Sequence, residues 1–289
     1  MRYVMYAVKG RVCPGVLAPD GTRVVSLREA GLCYKNLEEL ARFSTREEWA
    51  QLSAWLKEHA DSGTPLSQVT LLPAMPAPTQ EILVMENNFV KDGEEHHAFE
   101  KEKKGLLPTY FYKKATCANV DGGRIPTYPG HVTQLDYQAE LCAVVAGDVY
   151  QCPLEEAESR IFGYTIINNV IARNLTKRHR RPYIATSLDG FLPMCAYLVT
   201  PDEIQTPIRI RSYVNGELRQ DDTTDHAKFS FAYAIADLSR ISVLRGGSIL
   251  TLGTPYGCGS EQIPQKWLRS GDVVTCEAEG IGSITNVVE

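Results

Sequence analysis

The sequence predicts an α+β fold that is mainly β, with a small N-terminal β/α domain followed by a larger domain. After residue 79, most apolar runs are short, of β type, and separated by Gly, Pro and Asp turns. Four prolines within residues 65–80 disfavour a regular helix or a central strand and predict a linker. We therefore expect one domain over residues 1–78, ending in this linker, and a second over residues 79–289.

The N-terminal domain is predicted to begin with a small β unit. Residues 2–8 and 12–27 are apolar runs around a turn. The Asp20-Gly21 pair inside the second run is a strong hairpin signal.

A helix is predicted to follow over residues 37–59, where the apolar residues recur at helical spacing. Within it, Ser44-Thr45 followed by Glu47 and Glu48 fits an N-cap with an acidic first turn.

The larger domain combines several β-type runs with a few helical stretches. The helical stretches are residues 153–174 and 229–242. The β-type runs are residues 81–85, 140–147, 209–216, 248–255 and 272–288.

Composition excludes several classes of function. With 30 Lys+Arg against 35 Asp+Glu, the net charge of −5 offers no overall positive field for a nucleic acid. No run of about 20 apolar residues could span a membrane, and the first fifteen residues lack the apolar stretch of a signal peptide. We expect a cytoplasmic protein whose eight scattered cysteines are free thiols.

A series of motifs, read in order over residues 82–289, resembles the fumarylacetoacetate hydrolase family. Each motif alone is weak evidence, but their collinear order is specific. The motifs are Asn88-Phe89, His97-Ala98-Phe99-Glu100, Phe111-Tyr112-Lys113, and residues 136–141 (DYQAEL), 163–173 (GYTIINNVIAR), 189–193 (DGFLP), 214–217 (VNGE), 253–259 (GTPYGCG) and 271–273 (GDV).

This resemblance implies a mixed β-sandwich roll, usually assembled as a homodimer. Members of the family bind a divalent metal, commonly Mg²⁺, and cleave, decarboxylate, hydrate or tautomerise keto acids and β-diketo acids through an enolate. The partner implied for this chain is therefore a small anionic molecule of the keto-acid class, rather than a nucleic acid or a membrane.

The metal-ligand positions depart from the family pattern. Where the family has two glutamates and an aspartate, this chain has Gln138, Glu140 and Asn169, so the formal ligand charge falls from −3 to −1. Mg²⁺ prefers charged oxygen ligands. We therefore expect no tightly bound cofactor, with weak Mg²⁺ or Mn²⁺ binding at Glu140 as the remaining metal option. Thr186 also replaces a lysine that the family usually has before Ser187-Leu188-Asp189.

His97 and Glu100 match the family's catalytic pair, which activates water or moves protons. Residues three apart share one face of a helical turn, so Glu100 can orient His97 and raise its basicity. His96 is the competing choice for the base, because the segment after Phe89 is longer than in the family.

Further positions match substrate contacts of the family or lie in its motifs. The loop over residues 253–259 either offers backbone amides to an oxyanion or is a structural turn. The cluster over residues 177–181 puts four permanent positive charges in five residues and is either a solvated loop or a binder of acidic substrate. The substrate-binding residues predicted from the resemblance are Asn88, Lys113, Gln138, Asn169, Arg173, Asp189, Gln220 and Thr254.

The function predicted first is an enzyme that acts on a keto acid or β-dicarbonyl compound through an enolate. Its reaction is carbon–carbon bond hydrolysis, decarboxylation, tautomerisation or a biosynthetic step, with a degraded or absent metal site. The alternative is a non-catalytic ligand-binding or scaffold homologue of the same fold. A third reading keeps weak metal catalysis at Glu140.

Overall fold

The computed structural model describes residues 1–91, 107–114 and 116–289. Its strands in chain order are β1 (Arg2–Val8), β2 (Arg11–Leu17), β3 (Arg23–Ser26), β4 (Thr64–Pro65), β5 (Thr70–Leu72), β6 (Ile82–Glu86), β7 (Thr109–Lys113), β8 (Arg124–Ile125), β9 (Leu135–Asp136), β10 (Ala139–Val145), β11 (Ile161–Asn168), β12 (Ile171–Ala172), β13 (Tyr197–Val199), β14 (Arg209–Val214), β15 (Glu217–Thr223), β16 (Ile249–Thr251), β17 (Val273–Ala278) and β18 (Gly282–Val288). Its α-helices are α1 (Leu37–Phe43), α2 (Arg46–Glu58), α3 (Leu154–Ala157), α4 (Arg173–His179), α5 (Pro182–Thr186) and α6 (Phe231–Ser239).

One large sheet joins the N-terminal strands to strands of the larger predicted domain. Its order is β4-β3-β2-β1-β13-β11-β10-β16-β6-β7, with β5 paired beside β1. The joint is the antiparallel pairing of β1 with β13, in which Arg2 lies opposite Val199. The N-terminal unit therefore extends the same sheet as the rest of the chain, and the domain boundary at residue 78 stays a prediction.

A second sheet packs against the centre of the first. Its order is β15-β14-β17-β18-β8, and β17 and β18 lie against β11 while β14 lies against β10. Side chains of both sheets, such as Leu141, Ile166, Ile210 and Ile284, are fully buried in one core. This mixed two-sheet architecture with few helices confirms the predicted α+β, mainly β fold.

Two central strands position the interior polar residues. Every residue of β10 and of β11 is buried, because β10 lies between β11 and β16 and both faces of these strands are covered. Polar side chains at the ends of these strands, such as Glu140 and Asn168, are therefore held away from bulk water.

The sequence expectation of a helix over residues 153–174 was wrong for most of that stretch. Leu154–Ala157 is α-helical and α4 begins at Arg173, but Ile161–Asn168 forms β11. A strand buried on both faces shows no polar alternation, so its continuous apolar run cannot be separated from a helix by periodicity.

The other sequence elements are confirmed with one refinement. Strand β1, the turn at Asp20-Gly21 and helix α6 lie where they were expected. The predicted helix over residues 37–59 is two helices, α1 and α2, which separate where Thr45 adopts an extended backbone and forms a capping box with Glu48. Within the ranges given above, every helix is too short or too polar to cross a bilayer.

Candidate active site

A pocket of about 140 Å³ lies where β10, the β12–α4 junction and the loop after β16 converge. Strand β10 and the residues before it supply Gln138 and Glu140, and helix α4 supplies Arg173 and Thr176. Thr254 contributes from the loop after β16. The structure thus brings together four of the residues predicted from the sequence, Gln138, Glu140, Arg173 and Thr254. The other lining residues are Val84, Met85, Glu86, Asn87, Phe89, Phe111, Ile171, Pro182, Tyr256, Cys258 and Glu261.

One polar cluster at the pocket, which we call the Asp136 flank, consists of the lining residue Arg173, its partner Asp136 and the backbone amides around Gly259 that also bind Asp136. Asp136 is fully buried and accepts hydrogen bonds from Arg173 Nε at 2.9 Å and from the amides of Gly259 and Ser260 at 2.8 and 3.1 Å. Burial lowers the pKa of Arg173, but the Asp136 carboxylate more than offsets this effect, so the pKa is raised. Arg173 therefore stays charged and fixed in place.

A second polar cluster, the Glu140 flank, consists of the lining residue Glu140 and its partner Asn169, which itself lies outside the pocket lining, and has unused hydrogen-bonding capacity. Asn169 Nδ2 donates to Glu140 Oε1 at 2.9 Å. Glu140 Oε2 and Asn169 Oδ1 are buried and accept no hydrogen bond from the described residues. Burial raises the pKa of Glu140 to about 7, against opposing contacts with the Thr251 and Asn169 side chains.

The Glu140 flank does not fit a tight Mg²⁺ site. Glu140 is the one carboxylate among the three family ligand positions, and one of its oxygens already faces the Asn169 amide. The buried ammonium of Lys113 interacts electrostatically with Glu140 and would repel a second cation. In the described part of the chain, no group of three or more His, Cys, Asp or Glu is placed to hold a metal.

Lys113 lies outside the pocket lining. Its ammonium is fully buried and donates to the backbone carbonyls of Thr186 and Phe191. Burial lowers its pKa to about 7, and Glu140 opposes this shift. These contacts hold the end of β7 against α5; the predicted contact of Lys113 with substrate stays a prediction.

Two predicted binding residues use their amides to hold the pocket walls. Asn88 Nδ2 donates to the carbonyls of Phe229 and Leu252, and its Oδ1 accepts from the amide of Phe229, each at 2.9 Å. Gln220 donates to Thr254 Oγ1 at 2.8 Å and accepts from the amide of Ala139 at 3.0 Å. Neither residue lines the pocket, so both act in this structure as wall supports.

Asp189, another residue predicted to bind substrate, also lies outside the pocket lining. Its side chain is exposed, and its backbone carbonyl accepts from Tyr128 at 2.9 Å. Its role in substrate binding stays a prediction.

The glycine-rich loop presents fewer free amides than the sequence suggested. The amides of Gly257 and Cys258 donate to Glu261 at 2.7 and 3.0 Å, and those of Gly259 and Ser260 donate to Asp136. A Cβ atom at Gly259 would lie 2.0 Å from the carbonyl of Lys266, so the close packing requires glycine there. These contacts favour the structural reading of the loop.

Sequence reasoning missed Thr176 and gave Asp136 no role. Thr176 Oγ1 is buried at the pocket without a hydrogen-bond partner in the described residues. The spacing of three between Arg173 and Thr176 places both on one face of a helix and was the available signal. His96, His97 and Glu100 lie outside the described residues, and their role stays a prediction.

The fold and this pocket define an enzyme of the fumarylacetoacetate hydrolase family, and the chain belongs to that family. The family profile described as "Fumarylacetoacetate (FAA) hydrolase C-terminal" matches residues 81–289. The expectation drawn from the ordered motifs is thus confirmed, including the expectation of an enzyme.

Individual relatives narrow the comparison. The chain is 34% identical over 247 residues to oxaloacetate tautomerase YisK of Bacillus subtilis, which covers 82% of this chain and 80% of the relative. A fumarylacetoacetate hydrolase from Exiguobacterium antarcticum superposes with a TM-score of 0.83 at 26% identity, covering 100% of this chain and 99% of that one. A maleylpyruvate hydrolase from Sphingobium shares the fold, with a TM-score of 0.76 at 20% identity over 100% and 99% of the two chains.

Proposed function

We propose that this enzyme tautomerises a small 2-keto dicarboxylic acid, with oxaloacetate as the first substrate to test. The observation that carries the proposal is the unpartnered, buried Oε2 of Glu140 at a pocket of about 140 Å³. The named activity of the Bacillus subtilis relative supports the choice of reaction.

Tautomerisation moves one proton between a carbon and the neighbouring keto oxygen, so it consumes no water and breaks no carbon–carbon bond. It requires a group that exchanges the proton and donors that stabilise the enolate oxygen. Glu140 Oε2 is free to exchange the proton. Gln138, Arg173 and Thr176 supply N–H and O–H groups at the same pocket.

Hydrogen bonds from neighbouring polar side chains hold Glu140 and Arg173 in position. Asn169 holds one carboxylate oxygen of Glu140, and Asp136 holds the guanidinium of Arg173. Such preorganised contacts reduce the reorganisation that the reaction requires. The predicted pair His97 and Glu100 would serve as a second proton-transfer group. The enzyme would act in this reading without a tightly bound metal, as a cytoplasmic homodimer.

The test is the decay of the enol absorbance of freshly dissolved oxaloacetate, measured with chelator-treated protein against the uncatalysed rate. We expect acceleration by the wild-type protein and its loss in Glu140→Gln, while Glu277→Gln, a carboxylate of the second sheet, keeps full activity. Cleavage of an acylpyruvate without acceleration of oxaloacetate tautomerisation would support the hydrolytic reaction instead and overturn the proposal.

A further inference from the structure

The pocket lining is poor in positive charge for an enzyme of anionic substrates. Among the described residues, three carboxylates, those of Glu86, Glu140 and Glu261, line it together with one guanidinium, that of Arg173. Arg173 is already paired with the buried Asp136. An approaching dianion therefore meets a repulsive interior unless positive charge is supplied at the pocket mouth.

The residues that supply such charge form the basic loop, which we define as residues 177–181. Helix α4 ends at His179, Arg180 adopts a left-handed backbone with φ of 57°, and α5 begins at Pro182. The residues on either side of the loop, Thr176 and Pro182, both line the pocket. The loop is thus joined at both ends to residues of the pocket wall, while its own side chains lie outside the described lining, and this places it at the pocket rim.

In the part of the chain that the structure describes, no carboxylate neutralises the charges of the basic loop. All five of its residues are exposed. Lys177 donates to the neutral amide of Gln134 at 3.1 Å, and Arg181 donates to the carbonyl of Arg180 at 3.3 Å. No carboxylate among residues 1–91, 107–114 and 116–289 lies within ion-pair distance of these side chains. This concentration of charge occurs in a chain whose net charge is −5.

We infer that the basic loop is an anion-recognition rim that favours dianionic over monoanionic ligands of the pocket. The inference rests on the proposed function and names its substrate class. Exposed guanidinium groups raise the positive potential at the pocket mouth, so they attract a ligand with two negative charges more strongly than a ligand with one. Because this attraction acts on entry and binding, it lowers KM and leaves kcat unchanged.

The test uses a triple variant of the basic loop, the loop variant, which carries Arg178→Gln, Arg180→Asn and Arg181→Gln. Asparagine tolerates the left-handed backbone at position 180. The matched control is Lys9→Asn, Arg11→Gln and Arg28→Gln, which removes three exposed charges elsewhere and also includes one left-handed position, since Lys9 has a φ of 48°. Both variants change the net charge equally, so a difference between them reports a local effect.

Binding of oxalate, a dianion, and oxamate, its monoanionic analogue, is measured by calorimetry at ionic strengths of about 0.02 and about 0.5 M. At low ionic strength we expect the loop variant to bind oxalate about tenfold more weakly and oxamate about threefold more weakly. The difference should vanish at high ionic strength, and the control variant should match the wild type.

Equal affinities in the two triple variants, or equal losses for oxalate and oxamate, would overturn the inference. Turnover of oxaloacetate is followed in parallel. A wild-type protein without turnover but with the expected oxalate pattern would contradict the proposed reaction and leave the rim established. Normal turnover of oxaloacetate without the expected difference between oxalate and oxamate would overturn the inference about the basic loop and support the proposed reaction.

Discussion

The two flanks of the pocket are built from similar groups and are satisfied to different degrees. On the Asp136 flank, a buried carboxylate has a guanidinium and backbone amides as partners. On the Glu140 flank, an equally buried carboxylate interacts with the Asn169 amide and the Thr251 side chain, and its Oε2 has no hydrogen-bond partner of good geometry in the described residues. A protein interior normally pairs its buried polar groups. The comparison indicates that the Asp136 flank maintains the fold and that the Glu140 flank is kept open for a ligand.

The largest effect on stability is expected from a substitution in the Asp136 flank. Asp136→Asn leaves the Arg173 guanidinium without its countercharge in a mostly buried position, so the free energy of unfolding should fall by about 3 kcal/mol. Urea unfolding measures this loss. Asp221→Asn is the control, because its ion pair with Arg209 is partly exposed and should cost less than about 1 kcal/mol. Equal losses in both variants would remove the distinction between the flanks.

A change in the Glu140 flank should instead raise the free energy of unfolding. Glu140→Gln removes a buried charge and offers an N–H to the unpartnered Oδ1 of Asn169. Lys113 loses its electrostatic partner but can be buried in its neutral form, because burial already lowers its pKa to about 7. The protein should therefore be about 1 kcal/mol more stable at pH 7. Oxaloacetate tautomerisation should fall by about 100-fold, because an amide cannot exchange the proton. A destabilised variant with normal kcat/KM would show that Glu140 is a structural residue.

The same variant should change the pH dependence of stability. Burial raises the pKa of Glu140 from 4.5 to about 7. Between these values the folded state binds more protons than the unfolded state, so this residue lowers the free energy of unfolding as pH rises from 4.5 to 7. The stability advantage of Glu140→Gln over wild type should therefore be larger at pH 7 than at pH 5 by about 1 kcal/mol or more. A constant difference would mean that Glu140 is not desolvated.

Metal binding should also distinguish the two flanks. Gln138→Glu combined with Asn169→Asp restores the family's ligand charge around Glu140. Mg²⁺ affinity should rise at least about tenfold, measured by calorimetry on chelator-treated protein. Glu277→Gln together with Asp221→Asn, on the second sheet, should leave Mg²⁺ binding unchanged. An unaltered affinity in the first double variant would show that residues 138 and 169 do not face one common site.

The sequence predicted the convergence of Gln138, Glu140, Arg173 and Thr254, because their motifs occur in the family's order. It did not predict how the other polar residues are used. The contacts of Lys113 with Thr186 and Phe191 join segments more than 70 residues apart, and no local pattern encodes them. The misassigned strand β11 has the same origin, since burial on both faces is decided by distant strands.

The smallest effect on stability is expected at Thr176, which lines the pocket and was not predicted from the sequence. Its hydroxyl has no partner in the described residues, so Thr176→Val removes no existing hydrogen bond and should change the free energy of unfolding by less than about 0.5 kcal/mol. If the hydroxyl instead meets the substrate, kcat/KM should fall by about five- to tenfold, which one lost hydrogen bond would cause. Thr176→Ser keeps the hydroxyl and should restore most of the activity. Loss of activity in both variants would assign Thr176 to packing and leave Glu140 as the open group of the pocket.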